Sequence, residues 1–337
     1  MAALRNTTTQ LALKPIKRKR KWGKGEIKKH LAFATMLLPG FMFMLMFSYL
    51  PMPGIIMAFK KFKLFMPPKG YWLQNPFIYS VFVKDQWVGL SNFNFLFTTP
   101  DAFIITRNTV GYNLLFIFLG LFASVGLAIA INELIQRRVA KVYQTIFFFP
   151  FFVSWIVVSY LALALLNSEM GVINQVLKLF GVAPVQWYST PQAWPFIFVF
   201  FNLWKYTGNG SIIYLATIAG LDQEIYEAAA IDGANKWQQI KRITIPQLVP
   251  IMVLLSILAV GRIFNADFDM FFSMPNGSGQ LSEVSNVIDV YVYNALINNG
   301  QYGQSSAAGL YQSVVGFILI LTTNLIVRKV QPDMALF

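Results

Sequence analysis

Long apolar runs constrain this chain more than any other feature. A helix needs about 20 mainly apolar residues to cross a bilayer. Six stretches have that length and character: 32–58, 109–131, 143–166, 194–219, 248–272 and 307–327. Hydrophobic types make up 56% of the 337 residues and charged types 12%. A soluble domain carries about 25% charged residues, so this chain cannot cover itself as a soluble globule. Disorder is excluded as well, because it requires low hydrophobicity and high charge. The fold class expected is an all-α polytopic membrane protein with six transmembrane helices. Pro39, Pro51 and Pro53 are expected to bend the outer half of the first.

Charge placement orients the spans. The net charge is +13, from 27 Lys and Arg against 14 Asp and Glu. Ten of the positive charges lie in the first 29 residues, with a cluster at Lys17, Arg18, Lys19, Arg20 and Lys21. If the N-terminus is cytoplasmic, the inner segments 1–31, 133–142, 220–247 and 328–337 hold 18 of the 27 positive charges. The outer segments then hold seven. Lysine and arginine favour cytoplasmic flanks, so both termini are expected inside the cell. This is a membrane-flanking pattern and not a nucleic-acid footprint. The run 31–50 is longer than a signal-peptide core and no A-x-A site follows, so the first helix is expected to be retained. Two regions follow: a basic cytoplasmic segment, 1–31, and a transmembrane domain, 32–337.

Several chemistries are absent. There is no cysteine, which removes disulfides, thiolate metal sites and cysteine nucleophiles. The single histidine, His30, sits at the flank of the first apolar run, where an interfacial position explains it. No G-x-x-x-x-G-K-[ST] phosphate loop occurs. No soluble catalytic domain is visible, which argues against a membrane enzyme.

The outer loops differ in character. Residues 59–108 are rich in Trp, Phe, Pro and Asn, and Phe93, Phe95, Leu96 and Phe97 are expected to pack on the outer face or lie at the interface. Asp101 is a candidate cap for a short helix leading to Asn108. In 273–306, Val284, Val287, Ile288, Tyr291 and Val292 have helical spacing, which predicts a short amphipathic helix against the membrane domain.

The segment 221–247 is the least membrane-like stretch after the N-terminus. Asp222 is a cap candidate and Glu224 suits the first turn of the helix that follows. Ala228, Ala229 and Ala230 form a small-residue surface, and Asp232-Gly233 signals a turn. A second short helix is expected from about Asn235 to Ile243, with Pro246 opening the fifth span. The result is a cytoplasmic helix-turn-helix elbow. Its small side chains would let another protein approach the backbone closely.

The run Glu227-Ala228-Ala229, three residues, Gly233, nine residues, Ile243, then Ile245-Pro246 resembles the EAA motif of ATP-binding-cassette importer permeases. Ile245 stands where that motif usually has Leu. Asp232 and Ala234 match the fuller E-A-A-x-x-D-G-A form of carbohydrate permeases. Asn108-Thr109, the run 87–93, and Trp204 with Gly208 resemble the type I, maltose-system-like branch. The runs 50–56 and 58–60, with Val287-Ile288-Asp289 and Tyr291-Val292-Tyr293, resemble permeases serving complex oligosaccharides such as alginate, aldouronate and other polysaccharide fragments. Met52-Pro53 departs from the commoner Met-Tyr-Gly.

The resemblance implies a machine of two permeases, two ATPase subunits and an external solute-binding protein. This chain would be one permease, in a heterodimer with an unlike second one. It needs no cofactor of its own, since ATP and Mg²⁺ are bound by the ATPase partners. Glu227, Ala228, Ala229, Asp232, Gly233, Ala234 and Pro246 would form the ATPase-coupling site. The oligosaccharide path would run among the last three spans. Candidates there are Trp204, Lys205, Tyr206, Asn209, Arg262, Asn265 and Asp267, with Asp269 near the outer end. Charged residues at membrane depth are functional candidates by default. Lys205 or Arg262 facing a cavity would suit an acidic sugar. The basic segment 1–31 would lie on anionic lipid or on the ATPase. An importer of amino acids or phosphate is a rival within the class. An ion-coupled transporter is a rival outside it, although it typically uses carboxylates or broken helices near the midplane, and no buried carboxylate pair stands out.

Overall fold

Where an apolar run continues without a competing polar group, the backbone can satisfy its N–H and C=O groups only within itself, and it becomes helix. The computed structural model describes residues 24–62, 66–70, 75–80, 82, 86–330 and 332. The cluster Lys17–Lys21, Lys63 and Lys84 lie outside the described residues.

The described residues divide at Pro53. In the first unit, α1 (Lys24–Met44) runs through Pro39 without a break. It gives way to a π-helical turn, Leu45–Tyr49. Its apolar side chains are exposed along the whole described length, as suits a surface that meets lipid.

The second unit begins at Gly54. Strands β1 (Lys60–Lys61) and β2 (Gln86–Trp87) pair antiparallel, with Lys60 opposite Trp87. The helices α2 (Pro76–Tyr79) and α3 (Phe95–Thr98) are single turns. Phe95 is buried with Ile105, Ile288 and Ala308, whereas Phe97 is exposed. So only part of the aromatic cluster packs. The long α4 (Pro100–Asn132) is capped by Thr99, whose hydroxyl accepts from the Ala102 N–H. Asp101 is therefore not a cap. It lies in the first turn of a helix that already includes the whole second span.

The third span departs most from the expected continuous helix. Helix α5 (Arg137–Phe148) and a 3-10 turn, Phe149–Phe152, lead to a 99° bend before α6 (Trp155–Leu166). Ser154 caps α6 by accepting from the Val157 N–H. A short helix, α7 (Val172–Leu179), precedes α8 (Trp194–Ala219). Helix α8 is long enough to cross a membrane, but Asn202, Lys205 and Asn209 interrupt its apolar character. It packs closely on its neighbours. A Cβ at Gly208 would stand 1.9 Å from the Phe147 carbonyl oxygen, and one at Gly210 would stand 2.4 Å from the Ser124 hydroxyl.

The elbow comprises α9 (Gln223–Ile231) and α10 (Lys236–Gln239). A π-helical turn, Ile240–Thr244, joins α10 to α11 (Ile245–Val260). The second elbow helix is therefore not separate. It is the start of one 25-residue rod, Lys236–Val260. The fifth span also ends at Val260 and not at Phe272. The chain turns through 261–267 and restarts in α12 (Phe268–Ser273). The expected single amphipathic helix is instead two pieces, α13 (Ser282–Ser285) and α14 (Ile288–Ile297), broken at Asn286-Val287. Val287 and Ile288 are fully buried, so this apolar face packs into the protein, as the spacing predicts. Helix α15 (Tyr302–Val330) completes the described elements.

Four helices, among the described residues, are long and apolar enough to cross a membrane, and the count is five if the bent pair is taken as one span. Besides the cluster around Phe95, two larger cores hold the bundle. Trp155, Trp194, Phe198, Met270 and Phe271 anchor one. Val125, Ala128, Tyr214, Ile218 and Leu248 anchor the other, nearer the elbow.

Candidate functional site

A cavity of about 1070 Å³ opens between α4, α8, α11, the 261–267 turn and α15. Its wall combines apolar side chains such as Phe116 and Leu255 with Asn113, Asn202, Tyr206, Asn209, Arg262, Asn265 and Asp267. Apolar surface with a few placed polar groups is the usual make-up of a small-molecule site.

The turn 261–267 exists because other elements satisfy the backbone groups that α11 leaves open. Asn113 of α4 donates to the carbonyls of Ile263 (2.8 Å) and Asn265 (3.2 Å). Gln312 of α15 donates to Phe264 O at 2.7 Å. The Ala266 N–H donates to the Asp289 carboxylate at 2.7 Å, and Gln312 donates to the same oxygen at 3.2 Å. Irregular backbone at membrane depth persists only when it is satisfied in this way or lines a cavity. Here both hold.

Asp289 lies on α14, which is too short to cross a bilayer. Burial raises its carboxyl above the usual range. The folded state therefore binds its proton more readily than the unfolded state does. The cost of the charged form is present above the folded value and is relieved as pH falls toward the unfolded one. Asp289→Asn keeps an acceptor for both donors, so its melting temperature should stay near wild type. Asp289→Ala orphans them, at about 1–3 kcal/mol, and should melt clearly lower. Equal melting of the two variants would rule out the acceptor role.

Asp267 joins two breaks. Its carboxylate accepts from Trp155 Nε1 at 2.7 Å and from the Tyr206 hydroxyl at 2.6 Å. Trp155 begins α6 just after the bend, and Asp267 caps α12. Beside them, the Lys205 ammonium donates to the carbonyls of Phe151 and Val153 at the bend. It also stands 5.3 Å from the Trp155 ring centre and 5.8 Å from that of Tyr206.

Of the candidates read from sequence, Tyr206, Asn209, Arg262, Asn265 and Asp267 line the cavity. Trp204 does not. It is partly exposed beside Phe201, with ring centres 6.2 Å apart. Lys205 does not either, because its charge is spent on the bend carbonyls. Asp269 sits exposed in the first turn of α12. Sequence reading missed Asn113, Asn202 and Gln312. Isolated amides inside apolar runs were the signal for all three.

The elbow is built from local caps. Asp222 accepts from the Glu224 N–H at 3.0 Å. At the other end of α9, Gly233 N donates to Ala230 O (3.1 Å) and Ala234 N to Ala229 O (2.9 Å), a Schellman closure. Gly233 takes φ +81°, the left-handed conformation that glycine adopts without penalty. Asn235 and Gln238 then form a reciprocal capping box at the start of the rod. The Tyr226 and Thr244 hydroxyls lie 2.9 Å apart and tie α9 to the rod. Glu227, Ala228, Asp232, Gly233 and Pro246 are exposed, while Ala229 and Ala234 are half-buried. Trp237 and Ile231 also stand exposed.

Residues 116–335 match the family model described as "Binding-protein-dependent transport system inner membrane component". That range is more than half of the chain. The chain belongs to this family. It is 34% identical to Protein LplB of Bacillus subtilis (strain 168) over 298 residues, covering 88% of this chain and 89% of that protein. It is 32% identical to the polygalacturonan/rhamnogalacturonan transport system permease protein YteP of the same organism, covering 87% of each. A bacterial alginate ABC transporter, crystallised in complex with an alginate pentasaccharide-bound periplasmic protein, superposes with a TM-score of 0.78. That match is 29% identical and covers 91% of this chain and 97% of the other.

The protein is thus a multi-pass inner-membrane permease of a binding-protein-dependent transporter, and its role is transport and not catalysis. The breaks at 152–155 and 261–267 are the kind of feature that an ion-coupled transporter would also show. So are the half-buried carboxylates Asp267 and Asp289. Their apparent absence from the sequence was no argument against that class. Family membership decides the matter.

Proposed function

We propose that this chain is one of two unlike permease subunits of an ATP-driven oligosaccharide importer. The observation that carries the reading is a single rod, Lys236–Val260, with the capped elbow at one end and the polar cavity at the other. A push on the elbow is therefore carried along this rod to the cavity wall. In this reading α8 is the fourth of six spans, counted with α1, α4, the bent α5–α6 pair, α11 and α15. Both termini and the elbow face the cytoplasm, and the basic segment 1–31 precedes the transmembrane domain 32–337. Glu227, Ala228, Ala229, Asp232, Gly233, Ala234 and Pro246 meet one of two ATPase subunits, which bind ATP and Mg²⁺. ATP favours the outward-open state only by its differential affinity for it.

Amides, a phenol and an aromatic face around a large cavity suit a sugar, whose hydroxyls need hydrogen-bonding partners and whose ring faces are apolar. The polysaccharide-related names of YteP and of the alginate transporter support the same class. An external binding protein would deliver the sugar to the cavity.

The test is co-expression with neighbouring genes, mild extraction and mass spectrometry of what stays bound. A second permease and an ATPase should co-purify, and ATP hydrolysis in vesicles should rise when a sugar-loaded binding protein is added. A chain that purifies alone would overturn the assignment.

A further inference from the structure

We propose that Arg262 reads a carboxylate, and hence that the cavity is adapted to an acidic sugar of the uronate class. This rests on the importer reading above and adds the substrate class and the residue that selects it. Two charged side chains, Arg262 and Asp267, line the cavity among the described residues. Asp267 is committed to the wall through Trp155 and Tyr206. Lys205 is turned onto the bend carbonyls and does not line the cavity. The Arg262 side chain forms no hydrogen bond or ion pair with any described residue, and it is exposed to the cavity.

Its backbone, by contrast, is held firmly. The Arg262 N–H donates to Ala259 O at 3.0 Å, and its carbonyl accepts from Asn265 N at 2.8 Å. Gly261 beside it packs tightly against α15, since a Cβ there would lie 2.2 Å from Ile320 Cγ1. The segment is thus backed by α15, and Asn113 grips the next turn. An unpaired guanidinium on a fixed backbone, lining an open cavity, is pre-organised for a planar anion. Guanidinium and carboxylate pair through two parallel hydrogen bonds. Asn113, Asn202, Asn209 and Asn265 add neutral amides, which suit hydroxyls. One cation among several amides matches one carboxylate on a polyhydroxylated ring. It also favours acidic over neutral sugar, because only the acidic sugar brings the cation a carboxylate partner.

The experiment uses the purified importer complex in nanodiscs without binding protein, so that selection by that protein does not enter. Trigalacturonate and its carboxyl-reduced neutral counterpart are titrated by calorimetry. Wild type should bind the acidic sugar at least tenfold more tightly. Arg262→Gln should lose that preference, falling about tenfold to hundredfold for the acidic sugar while changing little for the neutral one. Arg262→Lys should keep part of the preference. Elution profile and melting temperature establish that each variant is folded.

Equal binding of the two sugars by wild type would overturn the proposal, and so would a preference that survives Arg262→Gln. Binding of neither sugar by the intact complex would overturn it as well. In each of those cases an ATPase that still co-purifies leaves the importer reading standing, whereas its absence would remove that reading first.

Discussion

Lys205→Met should destabilise the folded permease by about 3 kcal/mol and leave its preference between acidic and neutral sugar unchanged. The ammonium sits where α5 and α6 break apart, on the carbonyls of Phe151 and Val153. Losing a donor from two half-buried carbonyls costs up to about 1–3 kcal/mol each. The contacts with the Trp155 and Tyr206 rings add about 0.5–2 kcal/mol more. Relief from keeping a buried charge offsets part of this sum. The loss should appear as a lower melting temperature of the detergent-purified complex and a smaller monodisperse fraction. The sugar preference of the surviving fraction should match wild type, because the lysine does not line the cavity. A variant that melts normally but prefers a different sugar would place the ammonium on the substrate and undo this assignment.

The same residue shows where sequence reading stops. Lysine at membrane depth is visible in sequence, but the atoms that consume its charge lie more than 50 positions earlier. Only tertiary structure brings them together. The end of the fifth span is similar. Ile263, Phe264, Phe268 and Phe271 continue the apolar run past Val260, so hydropathy carries the helix on. What ends it is the set of polar groups on α4, α14 and α15 that offer the backbone an alternative. The bend before α6 had a local signal in Pro150 and Ser154, but the long apolar run outweighed it.

The elbow was legible because its determinants are local. Asp222, Gly233 and Asn235 each act on neighbours within five residues, through caps whose geometry sequence alone dictates. The one error there was the length of its second helix. That helix fuses into the fifth span through a π-helical turn that no residue announces. In the cavity, Tyr206, Asn209, Arg262, Asn265 and Asp267 line the wall. Trp204 and Lys205 stand outside that lining, because residue type does not reveal which face of a helix meets its neighbour.

Gly233→Pro should cut transport by at least tenfold while leaving the permease inserted and folded. Gly233 takes φ +81°, and proline is held near −65°. The substitution also removes the N–H that closes α9 on the Ala230 carbonyl. Both effects fall on the joint between α9 and the rod. No atom within 4 Å would clash with a Cβ at this position, so the damage is conformational and confined to the elbow. A non-glycine residue in this conformation already costs about 1–2 kcal/mol. Gly233→Ala should therefore give a milder version of the same loss.

Glu227→Lys makes the complementary change, since it leaves the backbone intact and reverses an exposed charge on the proposed docking face. Co-purification of the ATPase should fall in both Gly233→Pro and Glu227→Lys, and added salt should weaken only the charge-dependent part. If either variant transports normally with its ATPase bound, the elbow is an ordinary loop. If transport is lost while the ATPase remains bound and active, the elbow transmits the push without being the main anchor. In that case the exposed Trp237 and Ile231 at its flanks become the residues to replace next.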